Sequence, residues 1–304
     1  MEPQGTALRH DALVYDSGDE WVELGAAFLR RGLEAGEGGV VAHTRQGLSL
    51  MREALGADAS EVRFVDVSAA YTRPVRTLAS YHAVYAEQLR RTPSLRAVAD
   101  VQFGPDPGEW DLWTGYEAAF NRSFSHLPAW VLCTYATGSL PEAVREGVWR
   151  THPGVVSGGT WTRSALFEEP ERLLRGSSAA RRPMQVLRPL PVVDGVEQFR
   201  ELLARELVAE RMPSARVLDM LLATSEVFVN AEQHGGGVVS IRVGRADGRF
   251  ACEIVDRGAG FDDPLAGYLA PRPGVGAGLW VARQLTWCID FFTSADGFTA
   301  RIVM

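Results

Sequence analysis

Between Ser225 and Leu285 the chain reads SEVFVNAEQHG, then IVDRGAGF, then GVGAGLWVARQL. Glu226 and Asn230 stand at i and i+4, so on a helix both side chains leave one face and work on one small volume. A carboxylate beside an amide suits water activation and metal ligation. Asp256 ends a strand-like CEIVD that runs into Gly258, Ala259 and Gly260, a turn through which backbone approaches a ligand closely. Gly274, Gly276 and Gly278 precede an apolar-periodic segment and put backbone N–H groups near a helix start, where phosphate is received. Packing alone does not account for three such pieces in this order.

Each residue also has a plainer role to weigh. Glu226 alone would be a solvated helix residue, Asp256 a strand-end cap, and His234 a helix terminator beside Gly235. Asn230 costs helix propensity, which favours a role for it. The elements that must position these residues are readable too. A long helix over Arg216–Gln233 carries Glu226 and Asn230, after a strand-like MQVLRPLPV and a helix over Gly195–Glu210. VVSIRVG and FACEIVD form a hairpin about an Asp-Gly turn. Phe261 to Gly274 is a short stretch punctuated by proline. Leu279–Leu285 is helical, and CIDFFTS and TARIVM close a last hairpin around Asp296 and Gly297.

Together these motifs resemble the ATP-binding fold of the gyrase, histidine kinase and mismatch-repair superfamily, called GHKL, and within it the short anti-sigma-factor serine kinases. The resemblance covers residues 184–304 and implies an α/β sandwich with a mixed sheet and helices on one face. It implies that Glu226 is the general base or water-orienting group and Asn230 the ligand of Mg²⁺ bridging the ATP phosphates. Asp256 would accept the adenine amino group, with Gly258 and Gly260 shaping the adenine pocket. Gly276 and Gly278, followed by Leu279, would sit against the phosphates beneath a lid formed by Phe261 to Gly274, and Thr299 would reach the adenine edge. The family often reads Gly-Thr where this chain has Gly297, Phe298, Thr299.

The first half alternates strand and helix signals: DALVY, a helix through WVELGAAFLRRGLEAG, GGVVAH, a helix over Gln46–Ala54, and VRFVDV. A helix over Tyr81–Arg90, the strand AVADVQF, a helix over Trp110–Phe124, the strand AWVLCTY and a helix over Pro141–Arg150 follow. Such alternation predicts a mostly parallel sheet covered on both faces. DSGDEW after the first strand is no phosphate loop. His43 and Asp66 at strand ends read as loop or cap residues. Trp110, Trp113, Tyr116, Phe120 and Phe124 form a helical stripe that reads as core, with a small-molecule pocket or partner face as the alternative. On His10, Tyr15, FLRRGLEAGEGGVV, WDLWTGYEAAFNRSF and WRTHP, this half resembles the MEDS-type sensory domain. That resemblance implies a degenerate RecA-like fold over residues 1–153 that senses a signal without hydrolysing nucleotide. Residues 154–183, rich in glycine, serine and proline, read as a linker.

Composition sets the limits. A chain of 304 residues with 46% apolar side chains accommodates two globular domains. The net charge of −7 speaks against a broad nucleic-acid surface, no apolar run approaches a membrane span, and Met1 to Asp11 has no signal-peptide pattern. The three cysteines, without C-x-x-C spacing, read as buried thiols of a cytoplasmic protein. All 31 basic residues are arginine, so no Walker lysine and no Schiff-base lysine is present. The expected function is a cytoplasmic transcription regulator that binds ATP and Mg²⁺, sequesters a sigma factor and phosphorylates a Ser or Thr of an antagonist protein. A homodimer and a small-molecule signal at the first domain are expected with it. A non-catalytic ATP-binding switch and a histidine kinase acting on a separate acceptor are the alternatives.

Overall fold

The computed structural model describes residues 7–69, 73–104, 106–176, 184–246, 248–271 and 276–304. The chain divides into two compact units, Met1–Arg175 and Gly176–Met304.

In the first unit, β1 (Arg9–Tyr15), α1 (Gly18–Glu34), β2 (Gly38–His43), α2 (Arg45–Leu55), β3 (Val62–Asp66), α3 (Pro74–Leu89), β4 (Leu95–Asp100), α4 (Pro107–Ser123), β5 (Ala129–Ala136) and α5 (Glu142–Thr151) alternate as expected. After them come β6 (Gly154–Ser157), β7 (Thr160–Arg163) and α6 (Pro170–Gly176). The sheet order is β3-β2-β4-β5-β1-β6-β7, parallel up to the antiparallel β7. The DSGDEW stretch is a helix cap, in which the Ser17 hydroxyl accepts the Glu20 N–H at 3.2 Å. Asp66 likewise serves its turn, accepting from the Ser68 N–H and from Arg45.

Three boundaries differ from the sequence expectation. Helix α3 starts at Pro74 rather than Tyr81, because proline at the first helical position fits its fixed φ and costs no hydrogen bond. Strand β4 stops at Asp100, the last residue in register with β5, and does not run on through VQF. Residues 154–163 do not begin a linker. Gly154 to Ser157 pair with Asp11 to Val14 of β1, and Gly158 and Gly159, at φ +54° and +74°, make the two-residue turn into β7.

The aromatic stripe of α4 is core: Trp113, Tyr116, Phe120 and Phe124 are buried. All three cysteines are buried free thiols. Among the described residues no helix is long and apolar enough to cross a membrane.

The second unit runs β8 (Met184–Leu190), α7 (Val196–Ala209), α8 (Ser214–His234), β9 (Val238–Ala246), β10 (Arg249–Asp256), α9 (Gly278–Leu285), β11 (Cys288–Ser294) and β12 (Gly297–Val303). Its sheet, β11-β12-β10-β9-β8, is antiparallel at every pairing and not mixed, since hairpins join β9 to β10 and β11 to β12. Phe199 and Leu203 of α7, Met220 and Phe228 of α8 and Ala282 of α9 pack with Ile241, Ile254 and Ile302 of the strands. The sheet's other face holds Glu253 and Arg301 in a buried ion pair, Nε to Oε1 at 2.8 Å. An α/β sandwich with helices on one face results, and α8 lies along that face.

Candidate functional site

Val227, Asn230, Ala231 and His234 follow one another on a single face of α8, and all four line a cavity of ≈ 340 Å³. Opposite them stand Asp256 at the end of β10, Gly260 and Phe261 in the loop beyond it, Phe291 of β11, Phe298 and Ala300 of β12, and Leu279 of α9. The size and the largely apolar wall suit a small organic ligand held by few polar groups.

Asp256 is the carboxylate of this wall. It is 9% exposed, and its Oδ1 accepts the Gly258 N–H at 2.8 Å. Burial pushes its carboxyl above the ordinary value, against the pull of that N–H. Gly235, at the C-terminal end of α8, packs so closely on it that a Cβ there would lie 2.3 Å from the Asp256 carboxyl carbon. Helix end and strand end are thereby locked together with the carboxylate between them. A glycine is required on that side of the acid.

Three aromatic rings form the adjacent wall. Phe261 meets Phe291 and Phe298 edge-on at centroid distances of 4.8 and 5.3 Å, and Phe291 and Phe298 are parallel at 6.0 Å. Gly260 has φ +76°, and a Cβ there would lie 2.3 Å from the Phe298 ring, so only glycine lets the loop pass over this face. A planar heteroaromatic ring fits such a wall, with the Asp256 carboxylate at its edge to accept an N–H.

The reactive end lies one turn along α8. A Cβ at Gly278 would fall 2.2 Å from Glu226 Oε2, which places the Glu226 carboxylate against the first residue of α9. Among the described residues no side chain caps α9, and the first N–H groups of a helix suit an anion. Below, the base of the lid is fixed. Arg283 donates to the carbonyls of Ala266 and Ile289 at 2.7 and 2.8 Å and stacks on Tyr268, while Gly267 packs on Leu279. Arg283 is thus spent on anchoring the lid.

The expected residues are brought together in large part. Asn230, Asp256, Gly260 and Leu279 line the cavity, Gly258 holds Asp256, and Glu226 with Gly278 lies at the start of α9. At Gly276 a Cβ would meet none of the described residues within 4 Å. Gly274 lies outside the described residues. Thr299 is misassigned: it pairs with Val255 and is 2% exposed, while its neighbours Phe298 and Ala300 line the cavity. Side chains alternate along a strand, so Thr299 belongs to the other face, with Arg301. The residues missed from sequence are Gly235, Phe291 and Phe298; only the ring of Phe298, two positions before Ala300 on an alternating strand, carried a local signal.

These residues fit an adenine nucleotide. The aromatic wall and Asp256 suit the base, the start of α9 suits phosphate oxygens, and Asn230 supplies an oxygen donor of the kind Mg²⁺ prefers.

Residues 192–304 match the family model described as the histidine kinase-like ATPase domain. Residues 9–153 match the model described as MEDS, the methanogen/methylotroph DcmR sensory domain. No curated protein matches the chain. The chain therefore joins an N-terminal MEDS sensory domain to a C-terminal histidine kinase-like ATPase domain, a type of domain that binds ATP.

Proposed function

We propose that this protein is an ATP-dependent regulator of the anti-sigma type, which sequesters a sigma factor and transfers phosphate to a Ser or Thr of an antagonist protein under control of the first domain. The placement of the Glu226 carboxylate against Gly278, at the start of α9 and one helical turn from Asn230, carries the reading. Bound Mg²⁺-ATP would supply the transferable phosphoryl group and the charge that offsets it. Glu226 then orients an acceptor hydroxyl and takes its proton. Asn230 holds the metal, the first N–H groups of α9 bind phosphate oxygens, and Asp256 with the phenylalanine wall fixes the base. Among the described residues no arginine lines the cavity. Leu218 and Leu222, one turn apart on α8, are 63% and 52% exposed and offer apolar surface to a protein partner or a second copy.

The test is phosphotransfer from labelled ATP to candidate antagonists, using the full chain with Mg²⁺. Acid-stable phosphate on a Ser or Thr is the expected result. Acid-labile phosphate would assign a histidine kinase. Tight ATP binding without any transfer, and signalling that survives Glu226→Gln, would assign a non-catalytic switch.

A further inference from the structure

Four side chains that the nucleotide site does not use converge inside the first unit: His10 of β1, Glu117 of α4, Cys133 of β5 and His152 just after α5. None is more than 3% exposed. One ligand atom from each lies within 4.8 Å of the other three. His10 Nε2 is 3.2 Å from Cys133 Sγ and 3.2 Å from Glu117 Oε2, and His152 Nε2 is 3.4 Å from the same Glu117 oxygen.

The positions of the protons make this arrangement incomplete. Asn121 donates its amide N–H groups to the carbonyls of Glu117 and Thr151, so its Oδ1, 3.1 Å from His10 Nδ1, must accept. His152 Nδ1 faces the Val148 carbonyl at 2.8 Å, which only accepts. Both imidazoles therefore carry a proton on Nδ1, and in their neutral form both direct an Nε2 lone pair toward a carboxylate that offers only lone pairs; His10 Nε2 can accept from the Cys133 thiol, whereas His152 Nε2 has no donor. Both oxygens of Glu117 and Nε2 of His152 are buried without a hydrogen-bond partner. Buried polar atoms left so are costly. Protonating both rings would bury two cations against one anion, and protonating His152 alone would still leave Glu117 Oε1 without a donor.

A divalent cation satisfies all four groups at once. Two neutral imidazoles, one carboxylate and one thiolate sum to a charge that a doubly charged ion cancels. Zinc bonds of 2.0–2.3 Å to N, O and S give tetrahedral edges of about 3.3–3.8 Å, close to the three short contacts. Ligating histidines commonly donate the other ring N–H to a carbonyl oxygen, as both do here. Thiolate and imidazole donors select zinc-like transition metals over Mg²⁺ or Ca²⁺. We propose that His10, Glu117, Cys133 and His152 bind one zinc-class divalent ion in a closed four-ligand site within the sensory domain.

The test uses the full chain, stripped with chelator and titrated with Co²⁺. One Co²⁺ per chain should bind with a near-ultraviolet thiolate-to-cobalt charge-transfer band and tetrahedral visible bands, both removed by excess Zn²⁺. Cys133→Ser should abolish the charge-transfer band, whereas Cys252→Ser and Cys288→Ser, in the other unit, should retain it. Glu117→Gln should keep the band and weaken Co²⁺ binding by more than the roughly 10- to 100-fold that loss of an outer-shell partner costs. Should Cys133→Ser not fold, the wild-type titration and a Zn²⁺-dependent rise in its unfolding midpoint decide the matter. A folded wild-type chain that shows neither band nor midpoint shift, or a band that survives in Cys133→Ser, overturns the proposal.

Discussion

Replacing Asp256 by Asn tests the nucleotide site with almost no change of shape. The amide is isosteric, so the tight contact with Gly235 is kept, and its oxygen can still accept the Gly258 N–H. What is lost is a charged acceptor for an N–H at the edge of the base. Hydrogen bonds to charged groups contribute about 1.5–3 kcal/mol, or roughly 10- to 150-fold in affinity. ATP and ADP should lose this factor equally, because neither terminal phosphate is involved. Stability should move the other way. Burial holds the Asp256 carboxyl above its ordinary value, so the folded state disfavours the carboxylate and loses stability as pH rises through that raised value. At neutral pH without nucleotide, Asp256→Asn should unfold at the same temperature as the parent or higher. Titration calorimetry with both nucleotides, beside a thermal melt, measures the two effects. Unchanged ATP affinity in a variant that melts normally would refute the placement of the base against Asp256.

Gly260→Ala should destabilise the second unit by about 2–4 kcal/mol, from a positive φ and a Cβ driven into the Phe298 ring, read by urea unfolding. Glu226→Gln should abolish phosphotransfer while leaving ATP affinity within about twofold, and Asn230→Ala should remove the Mg²⁺-dependent part of binding; equal losses in both variants would contradict the division of roles. Thr299→Val should leave ATP affinity unchanged, since the side chain lies on the far face of the sheet; a loss of about tenfold or more would return it to the site.

The chemistry of the site was legible wherever it was local. Glu226 and Asn230 declare a shared face because helical spacing fixes it without reference to the rest of the chain, and α8 runs from Ser214 to His234 with Asn230 on the cavity and Glu226 against the start of α9. The alternation of the first half declares a parallel sheet for the same reason, since each crossover needs its helix. Sequence was silent where a position depends on a remote partner. Gly158 and Gly159 read as linker because nothing near them says that Gly154 to Ser157 pair with β1, some 140 residues earlier. Thr299 matched a motif by its letter, but register against Val255 decided its face and gave Phe298 the cavity. Gly235 looked like a helix stop until Asp256 was found against it. The cluster in the first unit is the extreme case, for residues 10, 117, 133 and 152 share no local pattern and meet only because β1 and β5 pair and α4 and α5 cover one side of them. Local spacing determines which face a side chain leaves; only the closed sheet and its packed helices determine what it then meets.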